Sequence, residues 1–114
     1  MDRDDIWRIE ESFWLEGPSF YDKHLAEQCV MAFPAPAGVL PAEKVRSSLK
    51  DAPRWTSVIM SDRVVAQPDG ATLIVGYRAG GSRPGSAGYA AFCTSTYRQN
   101  GKAWKLVQHQ QTPI

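Results

Sequence analysis

Two histidines, His24 and His109, are the side chains in this chain best suited to move a proton near neutral pH. His24 lies in Phe20-Tyr21-Asp22-Lys23-His24-Leu25, next to a phenol at Tyr21. His109 lies in Leu106-Val107-Gln108-His109-Gln110. As a general base, either would have to reach a substrate proton inside a pocket, with Tyr21 or Tyr77 donating a hydrogen bond to the developing charge. Neither has a second ligand at metal-binding spacing, so no metal is expected. The cysteines, Cys29 and Cys93, are too few for a thiolate site and read as buried thiols. The glycine-rich residues 80–86 lack the following helix of a phosphate loop and read as a hairpin tip. No cofactor is expected.

Carboxylates are scarce where a pocket would form. Within the strand-rich half, the acids are Asp62 and Asp69. Asp69 belongs to the turn Pro68-Asp69-Gly70, and Asp62 reads as a solvated residue near a strand end. A paired-carboxylate mechanism therefore has no residues in the strands, and whether the chain is an enzyme stays open. Aromatic and neutral polar residues are plentiful instead. Trp14, Tyr21, Trp55, Tyr77, Tyr89, Tyr97 and Trp104, with Gln108 and Gln110, could line a pocket for a flat, mostly apolar small molecule. The plainer alternative is that they pack a core.

Periodicity indicates what must position these groups. Residues 4–16 read as a helix, with Ile6, Ile9 and Phe13 on one stripe and Trp14 beside it. Asp2 or Asp4 can cap it, and Gly17-Pro18 ends it. Pro18 opens a short second helix through residue 25, and Pro41 a third over residues 42–51. A short hairpin, residues 29–33 and 39–40, separates them. From residue 55 onward the pattern is β: strands over 55–66, 72–79, 88–98 and 103–111. Asn100-Gly101 is a strong hairpin turn. Helices followed by hairpin-linked strands mean an α+β domain with an antiparallel sheet, one domain over residues 1–114.

A two-residue turn at Asn100-Gly101 sets Tyr97 opposite Trp104 and Ser95 opposite Leu106. Alternation then puts Tyr89, Ala91, Cys93, Ser95, Tyr97, Trp104, Leu106, Gln108 and Gln110 on the face toward the helices. Leu73, Val75 and Tyr77 join them, although the register around residues 78–88 is not fixed by the loop. Phe92, Thr94, Thr96, Arg98, Lys105, Val107, His109 and Gln111 fall on the other face. That face is half apolar, and a twofold homodimer through it is the expected partner arrangement.

Thirteen basic and twelve acidic residues give a formal charge of +1, with no basic footprint for nucleic acid or an acidic membrane. Apolar runs fall short of a membrane helix, and the acidic start Met1-Asp2-Arg3-Asp4-Asp5 is unlike a secretory signal, so a cytoplasmic location is expected.

The element order resembles the nuclear-transport-factor-2-like (SnoaL-like) superfamily. Phe33-Pro34…Ala37-Gly38-Val39-Leu40 leading into Ala42-Glu43-Lys44-Val45 is similar to that group's hairpin and following helix, and Gly101-Lys102-Ala103-Trp104-Lys105-Leu106-Val107-Gln108-His109 to its last strand. The resemblance implies a cone: a curved antiparallel sheet, the cystatin-like roll, packed on three helices, with a pocket at its mouth and a dimer interface on its back. It implies three possible roles: a small-molecule-binding domain, a histidine-dependent isomerase, dehydratase or cyclase, or a non-catalytic dimerisation module.

Overall fold

The computed structural model describes all residues, Met1–Ile114. Helix α1 spans Arg3–Leu15, α2 Pro18–His24 and α3 Ala42–Ser48. The strands are β1 Leu25–Ala32, β2 Val39–Pro41, β3 Ser57–Asp69, β4 Thr72–Ser82, β5 Tyr89–Asn100 and β6 Ala103–Pro113. They form one curved, open sheet in the order β2-β1-β6-β5-β4-β3. The helices cover its concave face, as the α+β cone reading requires. No helix is long and apolar enough to cross a membrane.

The helix boundaries follow from their caps. The Asp2 carboxylate accepts from the backbone N–H groups of Asp4 and Asp5 at 2.8 and 3.1 Å, satisfying two of the orphan donors at the start of α1. At its other end Glu16 is extended and Pro18 restarts the helix as α2. The face α1 buries is Ile6, Trp7, Glu10, Phe13 and Trp14. Ile9 lies at its edge, only partly buried.

The all-antiparallel expectation needs one correction. β1 leaves α2 and runs parallel to β6, pairing Met31 with His109, while every other neighbouring pair is antiparallel. β1 thus lies between its sequence neighbour β2 and the last strand, β6.

The β5–β6 register is also different from the simple turn geometry. Asn100 pairs with Ala103, so the turn residues are Gly101 and Lys102, and Gln99 faces Trp104. Tyr97 pairs with Leu106 and Thr96 with Gln108, leaving Val107 unpaired as a β-bulge. A bulge adds one residue to the strand, so side chains beyond it exchange faces relative to unbroken alternation. His109 and Gln111 therefore turn inward, and Gln108 and Gln110 turn outward, the reverse of the expectation for all four. Before the bulge, Tyr97 and Leu106 point inward with 0% and 1% exposure.

Candidate functional site

A carboxylate sits at the centre of the cone. Glu10, four residues after Ile6 and three before Phe13, projects from the buried stripe of α1 and is 1% exposed. The strands opposite supply its partners. Tyr77 of β4 and Ser95 of β5 donate hydroxyls to Oε2 at 2.5 and 2.6 Å, and Tyr97 of β5 donates to Oε1 at 2.5 Å. His109 of β6 brings Nδ1 to 3.5 Å from Oε2. Trp14 donates its Nε1–H to the Tyr77 hydroxyl at 3.0 Å, closing the network back onto α1. No buried side-chain nitrogen or oxygen is left without a partner.

Proton counting fixes the His109 tautomer. Ser95 has one hydroxyl hydrogen and gives it to Glu10. Its oxygen also lies 2.6 Å from His109 Nδ1, so Nδ1 carries the proton and donates it. In the neutral ring the other nitrogen, Nε2, is the acceptor, and it faces the Gln111 carboxamide nitrogen at 3.1 Å. Gln111 is held in turn by the Tyr89 hydroxyl, which donates to its Oε1 at 2.9 Å. A line of hydrogen bonds therefore runs from Tyr89 through Gln111, His109 and Ser95 to Glu10.

The network keeps Glu10 ionised. Burial alone would push its carboxyl up, but the contact with His109 and the hydrogen bonds from Ser95 and Tyr77 together hold it below the ordinary value. Tyr77 and Tyr97 move the opposite way, well above 10, first because they are buried and then because the Glu10 charge opposes a second anion. Each phenol stays a donor.

Next to this node lies a cavity of about 300 Å³, with walls that are mostly apolar. Trp14, Trp55 and Tyr89 form one wall. Trp55 stacks on Tyr89 with ring centroids 5.6 Å apart and 16° between planes. Arg83 lies over the Trp55 ring at 4.4 Å. Gly81 lets the indole approach the sheet, since a Cβ there would come within 3.1 Å of it. Met31, Phe33 and Leu49 also line the cavity, and the polar contributions come from Arg54, His109, Gln111, Ser48 and Tyr21. No Asp or Glu lines the cavity. No group of three or more His, Cys, Asp or Glu side chains is placed to hold a metal ion.

Solved structures superpose on nearly the whole chain. A nuclear-transport-factor-2-like protein of unknown function in nutrient uptake, from Rhodospirillum rubrum, matches with a TM-score of 0.83 and 20% identity, over 100% of this chain and 99% of its own. A protein from Parabacteroides distasonis, provisionally named a ketosteroid isomerase, matches at 0.79 and 18% identity, over 96% and 85%. One from Exiguobacterium sibiricum, provisionally named a calcium/calmodulin-dependent kinase II association domain, matches at 0.79 and 19%, over 97% and 89%. The chain has the nuclear-transport-factor-2-like fold. No protein-family model matches the sequence, and no curated protein matches it closely.

Within this nuclear-transport-factor-2-like cone the residues singled out from sequence divide into five groups. Trp14, Tyr21, Trp55 and Tyr89 line the cavity, and His109 joins them from the inner face. Tyr77 and Tyr97 lie behind it, committed to Glu10. Tyr21 donates to the Phe13 carbonyl at 2.5 Å, and burial pushes its phenol up. Trp104 is half-buried against the core and outside the cavity. Gln108 and Gln110 sit on the convex face, bonded to Thr96 and Thr112. His24 is also outside the cavity: it ends α2, stacks on Phe20 at 4.3 Å, and is lowered chiefly by partial burial.

The expectation of a carboxylate-free interior holds for the strands but not for the cone, because Glu10 enters from the helix. Its signal was available: a glutamate at the centre of the Ile6/Phe13 stripe is a carboxylate on an apolar helix face. Arg54 and Gln111 were the other two missed. Arg54 precedes the first long strand, and Gln111 depends on the bulge.

Proposed function

We propose that this domain binds a mostly apolar small molecule in the cone and that His109, backed by Glu10, moves a proton on it. The observation that carries this reading is the histidine's position. It lies on the cavity wall with Nδ1 tied through Ser95 to a buried carboxylate, and with Nε2 toward Gln111, which also lines the cavity. A fixed tautomer and a charge to stabilise the imidazolium are what a histidine base requires. In the proposed step Nε2 displaces the Gln111 amide and takes a proton from a ligand carbon next to a carbonyl. Nδ1 keeps its own proton on Ser95, and the Glu10 carboxylate stabilises the cation. Return of the proton to another position would be an isomerisation, and its transfer to a departing β-hydroxyl, which leaves as water, a dehydration. A fold neighbour's provisional name, ketosteroid isomerase, supports chemistry of this class on such a scaffold. Without a reacting substrate, the same cavity is a binding site alone.

Proton transfer can be read without knowing the substrate. Small aryl ketones such as 2-tetralone, incubated with the protein in heavy water, should exchange their α-hydrogens faster than in buffer, followed by NMR. His109→Ala should slow that exchange by roughly 10²-fold, in the range of a general base. Exchange that the variant leaves unchanged would refute the assignment.

A homodimer through the convex sheet face is a second, compatible part of the reading. Val30, Ile59, Val64 and Phe92 are 51–74% exposed, and ladder pairing puts them on that one face. A fold neighbour provisionally named an association domain supports self-association of this fold. Light scattering should give twice the chain mass, and Phe92→Asp should restore the monomer. A monomeric wild type at high concentration would exclude it. Two free, buried cysteines suit a reducing compartment such as the cytoplasm.

A further inference from the structure

The cavity's polar groups are unbalanced in charge. Arg54 is half-buried at its rim, and its hydrogen bonds go only to neutral oxygens. Nε donates to the Glu16 carbonyl at 2.8 Å, and Nη2 donates to the carbonyls of Phe13 and Trp14 at 2.5 and 2.9 Å and to the Tyr21 hydroxyl at 3.3 Å. These bonds anchor the guanidinium across the end of α1, where the helix dipole is negative. They leave Nη1 with no hydrogen-bond partner, and none of the ion pairs in the chain includes Arg54.

The remaining lining atoms give no compensation. No carboxylate lines the cavity, and Glu10, the nearby buried acid, is fully engaged behind His109. The Gln111 oxygen already accepts from Tyr89, and the Tyr21 and Ser48 hydroxyls donate to backbone carbonyls. The cavity therefore presents a fixed cation with a free donor, aromatic walls and no anion of its own. Guanidinium groups held in place by other contacts are well suited to carboxylates, since little side-chain freedom is lost when the ligand arrives.

We infer that the cavity is built for an apolar ligand carrying one carboxylate, held by Arg54. The inference rests on the small-molecule reading and narrows it. The carboxylate would take Nη1 while the apolar body lies against Trp14, Trp55 and Tyr89.

A matched pair of probes tests the charge separately from the pocket: 2-naphthoate and the isosteric, uncharged 2-naphthamide, titrated calorimetrically into the full chain. Naphthoate should bind at least about 10-fold tighter at low salt, and the gap should narrow as salt rises. Arg54→Met should erase the preference, with the loss falling far more heavily on naphthoate than on naphthamide. Because Arg54 also holds the end of α1, Arg54→Lys is the companion variant. A lysine cannot hold three carbonyls and the ligand together, so the preference should fall several-fold. Equal binding of the two probes by the wild type would overturn the inference and leave the pocket intact. A preference that survives both variants, or that disappears instead in His109→Ala, would overturn it in favour of another anion holder. Binding of neither probe at millimolar concentration would remove the small-molecule reading along with it.

Discussion

Glu10 and Arg54 are the two charges associated with the cone, and they are held in opposite ways. Glu10 is fully buried, and its two oxygens accept three hydroxyl hydrogen bonds and lie beside a histidine. Arg54 is half-exposed and touches only neutral atoms. A charge taken fully out of water must have its partners built in, or it neutralises. A charge at a rim can keep its field unspent, because water meets the shortfall until something else arrives. The closed end of the cone thus satisfies its charge internally, and the rim does not.

The largest effect should follow from emptying the closed end. Glu10→Ala leaves three buried hydroxyls without their acceptor and His109 without the charge beside it, and should cost about 3–5 kcal/mol in urea unfolding. Glu10→Gln keeps the shape and can rebuild part of the network, so its cost should be nearer 1–3 kcal/mol. If alanine proved as stable as wild type, the node would not be a stabilising element and the contrast with Arg54 would collapse.

The same carboxylate sets an acid edge. Its folded value lies below the ordinary 4.5, so in acid the unfolded chain takes up the proton first. The stability it contributes is full above 4.5 and is lost as pH falls from there through the depressed folded value. Tyr77 and Tyr97 set the alkaline edge: their folded values are raised above 10, so their contribution is full below 10 and lost as pH rises toward the raised values. Denaturation midpoints measured against pH should show both edges, and Glu10→Gln should flatten the acid one. An acid edge unchanged in that variant would assign it to other carboxylates.

Arg54→Met tests the rim by the same measurement. It removes donors from three α1-end carbonyls, but water can reach them, so the loss should be about 1–2 kcal/mol, below that of Glu10→Ala. A loss equal to that of Glu10→Ala would make Arg54 a structural clamp first.

How far the sequence reveals this arrangement depends on which signals are local. The helices, the strands and the inward side of Tyr77, Tyr97 and Leu106 follow from periodicity, because each buried face repeats along its own element. Met31 facing His109 does not follow, since parallel pairing of β1 with β6 is set by a crossover that local pattern cannot see. Glu10 was visible as a misfit on an apolar stripe. Its meaning came only from Tyr77, Ser95, Tyr97 and His109, which lie 67 to 99 residues away in sequence. The inward turn of His109 and Gln111 hinges on one residue, because the alternation of two cannot register an inserted position.

That one residue gives the smallest and most specific test. Val107 is the unpaired residue between the Tyr97–Leu106 and Thr96–Gln108 pairs. Deleting it should close the ladder into regular pairing, with Leu106 and His109 both still inward and two residues apart. The stability change should then be about 1 kcal/mol or less, since no buried contact of the node is lost. The alkylation rate of His109, 7% exposed in the intact chain, should be unchanged. If the deletion instead cost as much as Glu10→Ala, with His109 becoming more reactive, the bulge would be doing more than correcting parity. Its bend would then be what brings the imidazole to Ser95, and the closed end of the cone would depend on backbone shape as much as on its hydrogen bonds.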